Sequence, residues 1–307
     1  MSLNGLKSLE SAIQRLEVGL QKAGRIKKQC LGNAMNNTPG GWRIDLENWD
    51  SLSAMTNESS VLAMRGTYQA VTLDPREAIQ IPNQKSQGSC QGHAVTTCME
   101  WCYCIASGRA DVQLSRAAGY YLSQELDGIR GDSGSTVDAG CKLATNSGIG
   151  EEKYWPYPDR YNPQKPSNFN EYVENAKQYK IRATFKMSTY DGIATFLGSG
   201  QGAVEIGIGW NSSCDRSVVE SYAAGGGGHA LAFIALSERK DSQGQNYVWL
   251  ANSWGTTWGN KGWSEVSPNA VSQMLNARYT VMIGLSDMPN VKPREYTLDD
   301  LKKDLRI

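Results

Sequence analysis

The order and spacing of three reactive side chains constrain the fold of this chain more than any other feature of its sequence. Cys90 opens a long apolar segment, His229 opens a strand-like run about 140 residues further on, and Asn252 closes another short apolar run. A thiol, an imidazole and an amide in this order can supply a nucleophile, its base and the group that orients the base. A chain that uses them together must bring a helix end and two strands to one place.

Local patterns divide the chain into a helical half and a strand-rich half. Apolar and small residues predict helices over 89–108, 114–126 and 136–146. After residue 186, short apolar runs bounded by Gly, Ser and Asn predict strands at 203–210, 229–236, 247–251, 263–266 and 279–283. A helical half followed by antiparallel strands predicts an α+β fold with a cleft between the halves.

The N-terminal region has a different pattern. Over residues 4–29, apolar side chains recur at alternating spacings of three and four, at Leu6, Leu9, Ile13, Leu16, Leu20 and Ala23. This spacing predicts an amphipathic helix that either packs on its own domain or mediates self-association or docking to a partner. We therefore expect an N-terminal extension at 1–66, a main domain at 67–286 and a polar C-terminal tail at 287–307, with a short last helix from Thr297 to Leu305.

Composition narrows the partners and the compartment. The 31 basic and 31 acidic residues cancel, so neither nucleic acid nor an anionic membrane is an expected partner. The sequence has no apolar run of the roughly 20 residues that cross a bilayer, and its first residues lack the pattern of a secretory signal. Seven cysteines without framework spacing favour a reducing cytoplasm.

Two motifs surround the reactive residues. Gln84-Lys85-Ser86-Gln87-Gly88-Ser89-Cys90 places a glutamine six residues before the cysteine. Asn252-Ser253-Trp254-Gly255 is followed by Thr256-Thr257-Trp258-Gly259-Asn260-Lys261-Gly262-Trp263. Over residues 68–285 the chain resembles the papain/cathepsin family of cysteine peptidases, as a divergent member of bacterial or phage type. The resemblance implies the papain-like fold, with the active-site cleft between the two halves.

The resemblance also implies a role for each motif residue. Cys90 is the expected nucleophile, and the end of its helix is expected to favour the thiolate. His229 is the expected base, and Asn252 orients its ring beneath Trp254. Gln84 is the expected donor to the oxyanion. For substrate binding, we expect Gly134, Gly227 and Gly228 to lie along the substrate backbone, Trp254 to border the cleft, and Trp258 to lie on its leaving-group side.

Three departures from the family pattern qualify the resemblance. Gln91 follows the nucleophile where family members usually carry an aromatic residue, and Gln87 stands where extracellular members carry a disulfide cysteine. Residues 1–66 lack the family's pro-region motifs. The missing cysteine agrees with a reducing compartment, and the missing motifs leave open whether the extension inhibits, docks or assembles.

The resulting prediction is a cysteine endopeptidase that cleaves a protein or peptide substrate through an acyl-enzyme, without a metal or organic cofactor. Two alternatives remain open at this point. The domain could be a structural or docking component of a larger assembly, such as a phage virion, with residues 4–29 as its connector and the virion as its location. The same triad could also perform another acyl transfer, as in an amidase or a transpeptidase.

Overall fold

The computed structural model describes residues 74–291 and, apart from these, the backbone of a short strand at Trp42–Arg43. The expected helices at 4–29 and 297–305 lie outside the described residues. The described helices are α1 (Pro75–Ala78), α2 (Cys90–Ser107), α3 (Arg116–Asp127), α4 (Val137–Asn146), α5 (Phe169–Ala176), α6 (Tyr190–Gly198) and α7 (Pro268–Asn276). The strands are β1 (Trp42–Arg43), β2 (Ser135–Thr136), β3 (Ala183–Lys186), β4 (Gly202–Trp210), β5 (Val218–Val219), β6 (Gly227–Lys240), β7 (Asn246–Ala251), β8 (Trp263–Val266) and β9 (Val281–Ser286).

Helix α2 is the central element of the helical half. Nearly all of its residues are buried. It ends at Ser107 and is followed by Gly108, whose φ of 67° is the left-handed conformation that suits a glycine after a helix. Gly92 allows a close crossing with α3, because a Cβ at this position would lie 2.5 Å from the backbone nitrogen of Tyr120. A buried ion pair between Glu100 and Arg116 joins the same two helices. Helix α2 is therefore held against α3 both near its start and in its middle.

Seven strands form one sheet in the order β3-β9-β4-β6-β7-β8-β5. All neighbouring pairs are antiparallel except β5 with β8. Successive side chains of β4 and β6 alternate between two cores, as the pleat of a strand requires. Ala203 and Ala230 face the helical half, whereas Val204 and Leu231 face the core that α6 and α7 cover.

The predicted α+β architecture is confirmed, and its elements lie close to the predicted ranges. The three predicted helices correspond to α2, α3 and α4, and the five predicted strands correspond to β4, β6, β7, β8 and β9. The remaining elements are short and were not predicted from the sequence: α1, α5, α6, α7, β1, β2, β3 and β5. Within the described part of the chain, no helix is both long and apolar enough to cross a membrane.

Candidate active site

Cys90 is the first residue of α2, and its sulfur lies against the start of β6. The Sγ atom accepts a hydrogen bond of 3.3 Å from the backbone nitrogen of Ala230, the residue that follows His229. The loop before the helix is anchored on both sides. The nitrogen of Gly88 donates to Asp132 at 2.7 Å, and the Ser89 hydroxyl lies 2.6 Å from that of Tyr157. The helical half and the sheet thus meet at this cysteine.

His229 and Asn252 form the contact that the sequence analysis expected. The Nε2 atom of His229 lies 2.8 Å from Oδ1 of Asn252, and both side chains are buried. The same oxygen accepts a hydrogen bond from the backbone nitrogen of Ser253 at 2.7 Å. Because an amide oxygen only accepts, Nε2 carries a proton in this pair. Proton exchange with a thiol would therefore involve Nδ1 of the ring.

Aromatic rings surround this histidine. Trp254 stacks on His229 with a centroid distance of 4.6 Å and an interplanar angle of 21°. Trp258 lies 6.1 Å from Trp254, and its indole nitrogen donates to Asp215. The ring of Trp210, which was not among the predicted site residues, meets His229 edge-on at 4.9 Å. Its only sequence signal is its position at the end of a predicted strand.

Gln84 connects the loop of Asn252 with the loop of Cys90. Its Oε1 accepts a hydrogen bond from the Ser253 hydroxyl at 2.7 Å, and its Nε2 donates to the Gln87 carbonyl at 2.9 Å. The side chain is buried and held at both ends of its amide. One hydrogen of the Nε2 group is used by Gln87, which leaves the second for another acceptor. Ser253 is thus a second site residue that was not predicted from the sequence.

The electrostatics of Cys90 differ from the expectation of a lowered pKa. Burial raises the pKa of the Cys90 thiol to about 12, although the backbone amides of Ala230 and Gln91 act in the opposite direction. A lone thiolate is costly in this buried position, whichever helix end lies beside it. Transfer of the proton to His229 would instead create an ion pair with no net charge. The transfer within the pair is therefore the relevant equilibrium, rather than loss of the proton to water.

The second histidine of the chain is a core residue. His93 is buried, its Nδ1 lies 3.0 Å from the carbonyl oxygen of Ser89, and its ring meets Tyr157 edge-on at 4.7 Å. Burial lowers the pKa of His93 to about 3. A ring that stays neutral and is packed in this way has a structural role.

The glycines expected along the substrate occupy different environments. Gly227 and Gly228 are paired with the end of β4. Both polar backbone groups of Gly134 are occupied, because its nitrogen donates to Tyr120 and its carbonyl accepts from Gln124. The adjacent Ser135–Thr136 instead pairs in parallel with β1. The short strand β1 therefore pairs with the backbone next to Gly134, and not with Gly134 itself.

The six cysteines within the described residues, at 90, 98, 102, 104, 141 and 214, are buried thiols outside any disulfide. Between residues 74 and 291, no group of three or more histidine, cysteine or acidic side chains could hold a metal ion. Cys90 differs from the other five by its position at a helix start beside the buried histidine and asparagine.

A family profile and a curated protein match this chain in sequence. Residues 70–282 match the profile of the papain family of cysteine proteases. Peptidase 1 of Psoroptes ovis is 27% identical over 194 residues, which cover 60% of this chain and 55% of that protein. The chain thus spans about half the length of this curated relative.

Two solved structures share the fold. Xylellain, a cysteine protease from Xylella fastidiosa, has a TM-score of 0.64 at 20% identity and covers 82% of this chain and 97% of its own. The proform of the ragweed pollen cysteine protease Amb a 11 has a TM-score of 0.60 at 16% identity, over 82% of this chain and 75% of its own. These likenesses confirm the papain-like fold, and they give no support to the scaffold, amidase or transpeptidase alternatives.

Proposed function

This chain belongs to the papain family of cysteine proteases, and from that premise we propose that it is an endopeptidase with Cys90 as its nucleophile. The observation that carries the proposal is the hydrogen bond of 2.8 Å between His229 and Asn252. Beside this pair, the sulfur of Cys90 accepts a hydrogen bond from the backbone nitrogen of Ala230, the residue after His229 in the same strand. The substrate is an extended segment of a protein or peptide.

In the proposed reaction, the thiol proton of Cys90 moves to Nδ1 of His229 as sulfur attacks the scissile carbonyl carbon. Gln84 and the backbone nitrogen of Cys90 donate to the oxygen that becomes negative. When the tetrahedral intermediate collapses, the carbon–nitrogen bond breaks and the imidazolium protonates the leaving amine. Water then attacks the thioester, His229 takes a proton from it, and the thiol is restored as the acid product leaves.

Asn252 and Trp254 support the histidine through these steps. The Asn252 oxygen holds Nε2, so the ring keeps Nδ1 directed to the chemistry as it gains and loses a proton. The stacked Trp254 excludes water from one side of this hydrogen bond, which strengthens it because fewer competing donors reach it. Trp210 and Trp258 would line the leaving-group side of the cleft with apolar surface.

We also propose that residues 1–66 include a pro-segment-like strand. Strand β1 runs parallel to Ser135–Thr136, and Ser135 is bonded through its hydroxyl to Gln91, the neighbour of the nucleophile. The Cα atoms of β1 also come within 8 Å of β6, the strand that bears His229. An extended substrate would need the same edge of backbone. The extension would then limit access to Cys90 until it is displaced or removed.

The experiment that tests the proposed function compares three forms of the full chain on an unfolded protein substrate. Cys90→Ala is expected to abolish hydrolysis, because it removes the nucleophile and leaves a small side chain at the helix start. Cys98→Ala, which changes another buried cysteine of the same helix, is the matched control and is expected to retain turnover. Hydrolysis by Cys90→Ala at the rate of the unmodified chain would contradict the assignment.

A further inference from the structure

The residue after the nucleophile is bonded in a way that its sequence position does not suggest. Gln91, which replaces the usual aromatic residue, is completely buried. Its Oε1 accepts from the Ser135 hydroxyl at 2.6 Å, and its Nε2 donates to Oε1 of Glu205 at 3.1 Å. A Cβ on Gly140 would lie 1.8 Å from Nε2 of Gln91, so the glycine makes room for the amide. The site is built around a hydrogen-bonding side chain.

Glu205 is the unusual member of this network. It lies in the middle of β4, faces the helical half and has no exposed surface. Its Oε2 lies 3.7 Å from the sulfur of Cys141. Opposite it on the two adjacent strands are Ala232 and Ile283. Among residues 74–291 no basic side chain forms an ion pair with Glu205, and a buried carboxylate without a cation is strongly disfavoured.

Three thiols interact electrostatically with Glu205, and one of them, Cys141, also contacts it. Cys90 and Cys98 come from α2, and Cys141 comes from α4. Burial holds the pKa of the Glu205 carboxyl well above its usual range, although hydrogen bonds from Gln91 and Cys141 act in the opposite direction. A negative charge on Glu205 would also raise the pKa of Cys90 and oppose the thiolate. The neutral acid is therefore the form that suits both the core and the nucleophile.

We propose that Glu205 is a positioning residue that acts as an uncharged carboxylic acid. Through Gln91 it holds the first turn of α2, and with it the thiol and the backbone nitrogen of Cys90, between Ser135 and β4. The proposal rests on the proposed role of Cys90 as nucleophile. The glutamine and the buried acid together position this turn by hydrogen bonds, where an aromatic side chain would position it by packing.

The first test measures the charge of Glu205 without using activity. The unfolded chain ionises this carboxyl above its ordinary pKa of 4.5, whereas the folded chain keeps it protonated. Because the pKa of this carboxyl is raised in the folded protein, its contribution to stability is complete below pH 4.5. That contribution is lost as the pH rises towards the pKa of the folded state. Glu205→Gln has the same shape but does not titrate. The ratio of the unfolding constants, unmodified chain over variant, is therefore expected to rise about tenfold per pH unit.

Urea unfolding of both proteins at pH 5, 6 and 7 measures this ratio. An increase of about 100-fold between pH 5 and 7 would support the proposal. A ratio that stays constant over this range would overturn it, because Glu205 would then be ionised in the folded protein. This measurement remains decisive even if the chain hydrolyses no substrate, in which case only the proposed function fails.

The second test separates positioning from stability. Glu205→Leu leaves the Gln91 amide without its acceptor, and it is expected to lower kcat at least tenfold with little change in KM. The conservative Glu205→Gln is expected to restore kcat and to leave the acid limb of the pH profile where it was. Gln201→Leu, which removes a different buried polar side chain just before the start of β4, is the matched control. Equal activity in Glu205→Leu and this control, or an acid limb moved to lower pH in Glu205→Gln, would refute the proposal.

Discussion

The contact between Gln84 and Ser253 leads to a graded prediction about the oxyanion. The Ser253 hydroxyl donates to Oε1 of Gln84 at 2.7 Å, and the Gln87 carbonyl accepts from Nε2 at 2.9 Å. These two bonds fix the plane of the amide, so its remaining N–H has a defined direction. Gln84→Ala removes the donor itself, whereas Ser253→Ala removes only one of the two bonds that orient it.

The expected magnitudes follow from these different losses. Loss of one oxyanion donor lowers kcat by about 10²–10³, which is about 2.7–4 kcal/mol of transition-state stabilisation. Loss of one neutral hydrogen bond costs about 0.5–1.5 kcal/mol, so Ser253→Ala should lower kcat about 2–13-fold. Because Ser253 acts through Gln84, the double variant should be no slower than Gln84→Ala alone.

Initial rates over a range of substrate concentrations, measured for the four proteins of this cycle, check the prediction. KM should change little, because the donor acts on charge that develops only in the transition state. Multiplicative effects of the two substitutions would show that Ser253 contributes independently of Gln84. A change confined to KM would make Gln84 a substrate-binding residue, and either result would refute the reasoning.

Two further predictions concern the N-terminal extension. Arg43→Pro removes a backbone donor from β1 and should speed the alkylation of Cys90 several-fold. Arg43→Ala keeps this donor and should leave the alkylation rate unchanged. Equal rates in the two variants would show that β1 does not obstruct the cleft. Deletion of residues 1–30 should leave a folded monomer with a reactive Cys90, because the leucine stripe of residues 4–29 is expected to bind another chain. Sedimentation decides this point, since a full-length chain that is also monomeric, with a less heat-stable deletion, would mean that the helix packs on its own domain.

Much of the architecture could be predicted from local sequence. Helix α2 and strands β4 and β6 lie within a few residues of their predicted ranges, because apolar periodicity and glycine boundaries are local properties of the chain. The short helices α5, α6 and α7 were missed, because eight or nine residues give too little periodicity to distinguish a helix from a loop.

For the site, the sequence by itself was enough to identify Cys90, His229 and Asn252 as candidates, since their order and motif context can be read along the chain. The tertiary structure alone revealed the ring of Trp210 on His229, the hold of Ser253 on Gln84 and the acid that binds Gln91. These contacts depend on the register between strands and on the packing of α2 against the sheet. Such pairings join residues that are distant in sequence, so the local pattern around one partner does not indicate the other.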